Sequence, residues 1–377
     1  MVRRAYKYRF YPTPEQANLL NQTFGSVRYV YNRALAERSR AWTQEQKRVT
    51  FADTCRMLTQ WRNDPETAWL YEVPSVALQQ GLQHLQRAYV NFWGKRAKYP
   101  QFKSKRKSRA SATFTTSGFR YRDGQLTLAK VSDPLNIVWS RPLPEGAEPS
   151  TATVSRDAAG RWFVSLLCEC SVEALPTVPT SVGIDVGITS LVVLSSGEKI
   201  TNPQHEKKDR ARLALVQRRL ARKATGSANR DKARGKVAQV HGRIADRRRD
   251  FLHKLSTRII RENQTVIIED LGIRSMVRNR HMARAISDAS WAELRRQLEY
   301  KADWYGRTVI AVDRFYPSSK TCSACGVITA KMPLNIREWT CASCGVRHDR
   351  DVNAAKVLLA AGLAVSACGD GVRPART

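Results

Sequence analysis

The sequence predicts an α+β protein of several domains: a helix-rich N-terminal stretch, a small antiparallel β unit, and an α/β domain with a cysteine-rich insert. Three observations carry this. Residues 14–94 have helical periodicity, 112–172 read as strands cut by turn residues, and beyond 180 strands and helices alternate around two CxxC pairs. At roughly 150 residues per domain, 377 residues allow two or three domains.

The opening VRRAYKYRF (2–10) alternates and is rich in Tyr and Phe, which predicts a strand. A helix follows at once: Thr13 is its N-cap, Pro14 its first residue, and Gln16 completes a capping box. Gly25-Ser26 predicts an internal turn before a helical pattern resumes through Val27, Tyr31 and Leu35 to about Trp42. Leu78, Leu82, Leu85, Tyr89 and Phe92 give a further amphipathic helix from about Ser75 to Trp93. From 112 to 172 come FRYR, an Asp123-Gly124 turn, LTLAK, LNIVW, TATVS, a DAAG turn and WFVSLLCEC, which fit a small antiparallel barrel or sandwich. EALPTVPT (173–180) reads as a linker. Beyond it, TSVGIDVGITSLVVLSS supplies two strands joined at Gly187, TVIIEDL a third and RTVIAVD a fourth.

Charge narrows the function. Lys and Arg number 64 against 33 Asp and Glu, a formal charge of +31, which points to a polyanionic partner, nucleic acid first. No apolar run is long enough for a bilayer span and no signal-type apolar core follows the N-terminus, so a soluble, cytoplasmic protein without a membrane partner is expected. Two stretches concentrate the charge. In 93–111, Lys103, Lys105, Arg106 and Lys107 are among basic residues interleaved with Trp93, Tyr99 and Phe102, which suits phosphate neutralisation and base stacking. Residues 206–262 carry 19 basic against 6 acidic residues, with an apolar stripe on both sides of ATGSAN, an arginine-rich helical hairpin in which Arg218, Arg219, Arg222, Arg247 and Arg248 are candidate contacts.

The cysteines speak of metal. Cys322-x2-Cys325 and Cys341-x2-Cys344 stand fifteen residues apart, a zinc-site spacing, and Gly326 and Gly345 follow each pair where a knuckle turns. Four thiolates leave no open position, so Zn²⁺ there is structural. A catalytic site is expected elsewhere. Asp185 interrupts an apolar strand and Glu269 ends another, each costly without a cation or partner. Asp349 and Asp351 open the last helix, and their angular separation lets only one join the other acids. Three such carboxylates would suit a two-metal phosphodiester-cleaving site in an RNase H-like fold.

These residues resemble the TnpB (OrfB) family of bacterial insertion sequences, RuvC-type RNA-guided nucleases similar to the ancestors of type V CRISPR effectors. The resemblance rests on RAYKYRFYPTPEQ, VRYVYNRAL, YPQFKSKRKS, GIDVG, VIIEDL, SDASWAELRRQLEYKADWYG, VDRFYPSSKTCSACG and CASCGVRHDRDVNAAKVLL. It implies Asp185, Glu269 and Asp351 as catalytic, Mg²⁺-binding residues, with Asp349 a helix-starting neighbour and the four cysteines a structural zinc ribbon. It implies a wedge-like β-barrel from 1–13 and 95–174, with a helical recognition insertion at 14–94. It also implies a RuvC/RNase H-like nuclease domain at 175–366, including the basic hairpin 204–262 and a ribbon at 318–348. A disordered tail is expected at 367–377. The activity so implied is Mg²⁺-dependent endonuclease cleavage, with two ions and Mn²⁺ as a substitute. A transposon-end guide RNA directs it to double-stranded DNA beside a short motif. Three other readings remain open at this point: a transposase or resolvase acting without RNA, an RNA-guided repressor that does not cut, and a basic zinc protein of ribosomal type.

Overall fold

The computed structural model describes residues 2–330, 332–333 and 335–367. The expected tail lies outside them except for Ala367, which ends the last helix. The chain divides into two compact units, Met1–Ser171 and Val172–Thr377. Among the described residues no helix is long and apolar enough to cross a membrane.

The first unit is built on strand β1 (Val2–Phe10), helices α1 (Pro14–Glu45), α2 (Phe51–Asn63) and α3 (Ser75–Trp93), and strands β2 (Ala110–Thr115), β3 (Phe119–Arg122), β4 (Gln125–Leu128), β5 (Ile137–Val138), β6 (Pro149–Arg156) and β7 (Trp162–Cys170). Its main sheet is antiparallel in the order β2-β6-β7-β1-β5, and β3 and β4 form a separate hairpin. Asp123 and Gly124 make that hairpin's turn with positive φ at both positions, as a type I′ turn requires. Alternation places Tyr6, Tyr8 and Phe10 in the core, while Lys7 lies 4.0 Å from the centre of the Phe163 ring.

The capping box forms as the sequence predicts: the Gln16 N–H donates to Thr13 Oγ1 and the Thr13 N–H to Gln16 Oε1, each at 3.2 Å. The expected turn at Gly25-Ser26 does not. Helix α1 runs straight through it for 32 residues. A glycine inside a helix costs only about 1 kcal/mol. Here the flanking Phe24, Val27, Val30 and Tyr31 are all buried in the core shared with α3 and the sheet, which outweighs that cost. Strand β2, whose sequence ASATFT carries one large apolar residue, was not separately anticipated.

The second unit has strands β8 (Ser181–Asp185), β9 (Ser190–Leu194) and β10 (Lys199–Thr201), helices α4 (His205–Ala221) and α5 (Ala228–Glu262), strand β11 (Thr265–Glu269), helices α6 (Ile273–Met276), α7 (Ala283–Ala289) and α8 (Trp291–Tyr305), strand β12 (Thr308–Val312), a hairpin of β13 (Glu338–Thr340) and β14 (Arg347–Asp349), and helix α9 (Arg350–Ala367). Five strands, one more than the sequence suggested, form a mixed sheet in the order β10-β9-β8-β11-β12. Strands β8, β11 and β12 are parallel, and β9 and β10 return antiparallel.

Helix α9 lies against this sheet with unusual intimacy. A Cβ on Gly183 would stand 2.0 Å from the Ala355 carbonyl oxygen, and one on Gly362 would stand 2.4 Å from Ile267 Cγ1. Only glycine admits such an approach. Helices α4 and α5 form the basic hairpin, held along its length by Leu213, Val240 and Ile244 with Val216 and Val237. Ser227 caps α5, and Arg230 donates to the Leu220 and Lys223 carbonyls to close the connecting loop.

Candidate catalytic and metal sites

Strand register brings two of the acids together. Strands β8 and β11 are parallel with Ile184 opposite Ile268, so Asp185 and Glu269 occupy the next position at the same strand ends. At the usual inter-strand spacing their backbones are about 5 Å apart, and at equivalent register their side chains leave the same face. Asp351 comes from the first turn of α9. It precedes Ala355, the residue seated on Gly183, by four positions, about 6 Å of helix, while Asp185 lies two positions beyond Gly183, about 6.6 Å of strand.

The electrostatics record the convergence. The Asp185 carboxyl is pushed up to about 7 by burial, then by the negative charges of Asp351 and Glu269, against an opposing pull from Arg350. Glu269 is also raised, by burial and by its neighbour Asp270. Crowded hard oxygen donors that resist ionisation are the donor set a divalent cation stabilises.

Asp349 has a different task. Its Oδ1 accepts the Asp351 and Val352 N–H groups at 3.1 and 3.0 Å, capping α9, while Oδ2 pairs with Lys199 at 2.5 Å. It stands in β14, ahead of the helix, which corrects the expectation that both acids sit on the helix and makes the separation of roles clearer. Sequence reasoning gave no sign of Arg337, whose Nη1 lies 3.6 Å from Asp351 Oδ1. Nor did it single out Asp270, which binds Arg295 and, at 2.9 Å, Arg314.

The four cysteines converge. Their sulfurs all lie within 4.8 Å of one another, with Cys322–Cys344 and Cys325–Cys341 both at 3.7 Å. Tetrahedral zinc with Zn–S bonds of about 2.3 Å sets sulfurs about 3.8 Å apart, which the two close pairs match, so the four donors suit that ion. Gly326 and Gly345 turn the two knuckles with φ of 76° and 74°. The Cys341 thiol is held below its ordinary value by the backbone N–H groups of Cys344 and Ser343. His348 Nε2 lies 3.0 Å from Cys322 Sγ, a neighbour the CxxC spacing did not reveal.

The basic candidates separate into two groups. Lys105, Arg106 and Lys107 are exposed, as are Arg218, Arg219 and Arg222 on the hairpin. Arg247 pairs with Asp209 at 3.2 Å and Arg248 with the buried Asp288 at 2.8 Å. Lys103 is half-buried, with Nζ 3.9 Å from the centre of the Tyr31 ring and its backbone held by the Asn32 amide. Of the interleaved aromatics, Tyr99 bonds Ser39 and Tyr89, whereas Phe102 stays 64% exposed.

Residues 165–280 match the OrfB_IS605 family, described as "Probable transposase", residues 291–358 a Cas12f1-like TNB domain, and residues 1–47 the helix-turn-helix domain of the same OrfB group. A Streptomyces pristinaespiralis protein described as "Putative RNA-guided DNA endonuclease" is 64% identical over 375 residues, covering 100% of this chain and 93% of its own. The chain belongs to the OrfB/TnpB family. InsQ of Escherichia coli K12, with the same description, is 33% identical across 99% of this TnpB chain and 96% of its own. In fold, the chain is similar to Cas12f1 from a complex with sgRNA and target DNA, at a TM-score of 0.58 and 16% identity over 92% of this chain and 83% of that one. It is also similar to the mini-RNA-guided endonuclease CRISPR-Cas_phi3, at 0.52 and 9% identity over 99% and 94%.

Proposed function

We propose that this TnpB protein is an RNA-guided, metal-dependent DNA endonuclease. In this reading Asp185, Glu269 and Asp351 form the cutting site of a RuvC-type, RNase H-like domain, and a zinc ribbon stands beside it. The observation that carries the reading is one of placement: Asp185 and Glu269 follow the paired Ile184 and Ile268 at the same ends of adjacent parallel strands, and the Asp185 carboxyl, pushed up to about 7 first by burial, also feels the negative charges of Asp351 and Glu269. The sheet order β10-β9-β8-β11-β12 with α9 across it supports the RNase H-like assignment. The family's named endonucleases support the substrate.

Mg²⁺, with Mn²⁺ as a substitute, would be held by Asp185, Glu269 and Asp351, where it supplies Lewis-acid activation of water and charge neutralisation at the leaving oxygen. The chain's own residues prepare that place. Strands β8 and β11 fix two carboxylates in register, the Asp349 cap fixes the first turn that presents Asp351, and Arg337 and Arg350 keep part of the acid charge balanced. The exposed cations of 105–107 and of the hairpin would neutralise nucleic-acid phosphates, while guide pairing selects sequence. We further propose that residues 1–13 and 95–174 form a wedge-like barrel bearing the 14–94 recognition helices.

Asp185→Ala tests the reading. It should abolish Mg²⁺-dependent cleavage of guide-matched DNA while the protein still purifies with its RNA. Cleavage at the wild-type rate would refute the assignment of Asp185. Purification free of RNA, with specific cutting retained, would instead favour direct transposase action.

A further inference from the structure

We propose that Asn353 is a positioning residue that fastens the first zinc knuckle to the helix carrying Asp351, so that filling the cysteine site orders the carboxylate site. The inference rests on the nuclease reading above and extends it to communication between two metal centres.

Asn353 is 2% exposed, in the first turn of α9 and two residues past Asp351. Its side chain bridges Cys322 from both flanks: Oδ1 accepts the Ser323 N–H at 2.9 Å, and Nδ2 donates to the Thr321 carbonyl at 2.7 Å. A buried amide is costly unless both its ends are satisfied, and here both partners belong to the knuckle. A second tie runs alongside. His348 packs its Nε2 against Cys322 Sγ, and the next residue, Asp349, caps the N–H of Asp351. The backbone on both sides of one zinc ligand is thus bound by Asn353 to the turn that presents a catalytic carboxylate, and the ligand's own sulfur meets His348, one residue before the cap of that turn.

Without a cation, clustered thiolates repel and the knuckle loosens. Asn353 then loses both partners at once, and the first turn of α9 loses its anchor. Coupling of this kind is reciprocal, so divalent binding at the acids should in turn tighten zinc retention. Were Asn353 only a packing residue, its loss would lower stability or zinc content and leave the acid site's affinity for a divalent cation untouched.

The test uses the full-length protein, hydrogen exchange at residues 350–356, zinc content, and a titration with Mn²⁺ followed by its paramagnetic resonance signal. Stripping zinc from the wild type should accelerate exchange at 350–356 and weaken Mn²⁺ binding about tenfold, the scale of lost outer-sphere support. Asn353→Ala should keep one zinc per chain yet show the same roughly tenfold weaker Mn²⁺ binding. Asn353→Asp, which keeps the acceptor for Ser323 and loses the donor to Thr321, should fall between.

Unchanged exchange on zinc removal, or wild-type Mn²⁺ affinity in zinc-loaded Asn353→Ala, overturns the proposal. If Asn353→Ala fails to fold, the zinc-stripped wild type and Asn353→Asp decide it. Mn²⁺ binding that survives Asp185→Ala at full strength would count against the nuclease reading instead, and the exchange measurement would still judge Asn353.

Discussion

Gly183→Ala is the most demanding single-methyl test of how the acid site is assembled. The new Cβ would meet the Ala355 carbonyl oxygen at 2.0 Å, Leu359 N at 2.8 Å and Leu359 Cβ at 3.0 Å, where ordinary contact begins near 3.4 Å. Two of these atoms are backbone, so no rotamer change relieves them. Helix α9 would have to recede by roughly 1.4 Å. It is not free to do so cheaply, because Leu358 is fully buried with Ile267, Ile310 and Val312, and Gly362 rests on Ile267. Overpacking of this kind costs about 1–3 kcal/mol and sometimes more. At about 2–4 °C per kcal/mol for a unit of this size, the melting temperature should fall by about 2–12 °C. Because α9 carries Asp351, a displacement of about 1 Å should also slow cleavage on the order of a hundredfold. The assays are thermal unfolding and single-turnover cleavage at saturating Mg²⁺. Gly235→Ala is the control: that glycine lies in α5 with nothing within 4 Å, and alanine there should stabilise by up to about 1 kcal/mol. A Gly183→Ala protein that melts and cuts like the wild type would refute both the intimacy of the packing and its link to the acids.

The raised Asp185 value means that the folded state holds a proton between pH 4 and about 7 that the unfolded chain has released, so ionising it as pH rises through this window lowers stability. In metal-free protein at pH 8, Asp185→Asn should therefore raise the melting temperature while abolishing Mg²⁺-induced stabilisation; a lower melting temperature contradicts this. Lys301 is buried, donates to His253, Ser256 and Thr257 with no acidic partner among the described residues, and is lowered to about 8 by burial. Stability should rise from pH 8 to about 10.5 as the unfolded state alone remains protonated there, and Lys301→Met should flatten that rise in urea titrations. Replacing Arg218, Arg219 and Arg222 together with Ala should reduce the log–log salt slope of nucleic-acid binding by about 2–3, near one per lost phosphate contact, and an unchanged slope removes that face from the interface.

What the sequence disclosed was chiefly what is local. The Thr13 cap, the limits of α3, the strands carrying Asp185 and Glu269, and the paired cysteines each depend on residues a few positions apart. Where distant packing decides, the sequence misled or was silent. Gly25-Ser26 has the composition of a turn, yet core contacts along α1 keep it helical. Strand β2 lacks a strong apolar alternation because its partner β6 and the helices over it supply the order. Arg337, His348 and Asn353 acquire meaning only when the ribbon folds back on α9, and no spacing rule foretells that fold-back.

The hairpin of α4 and α5 is a long arm with a thin seam of five aliphatic side chains and a surface crowded with cations. Cohesion that sparse is opposed by mutual repulsion among its arginines. Added electrolyte therefore acts on it twice and in opposite senses, quieting the arm's own strain while loosening its hold on any polyanion. The apo protein should resist proteolysis along this arm better in concentrated salt, and the nucleic-acid complex better in dilute salt. A polyanion laid along the arm would relieve the same repulsion that electrolyte screens.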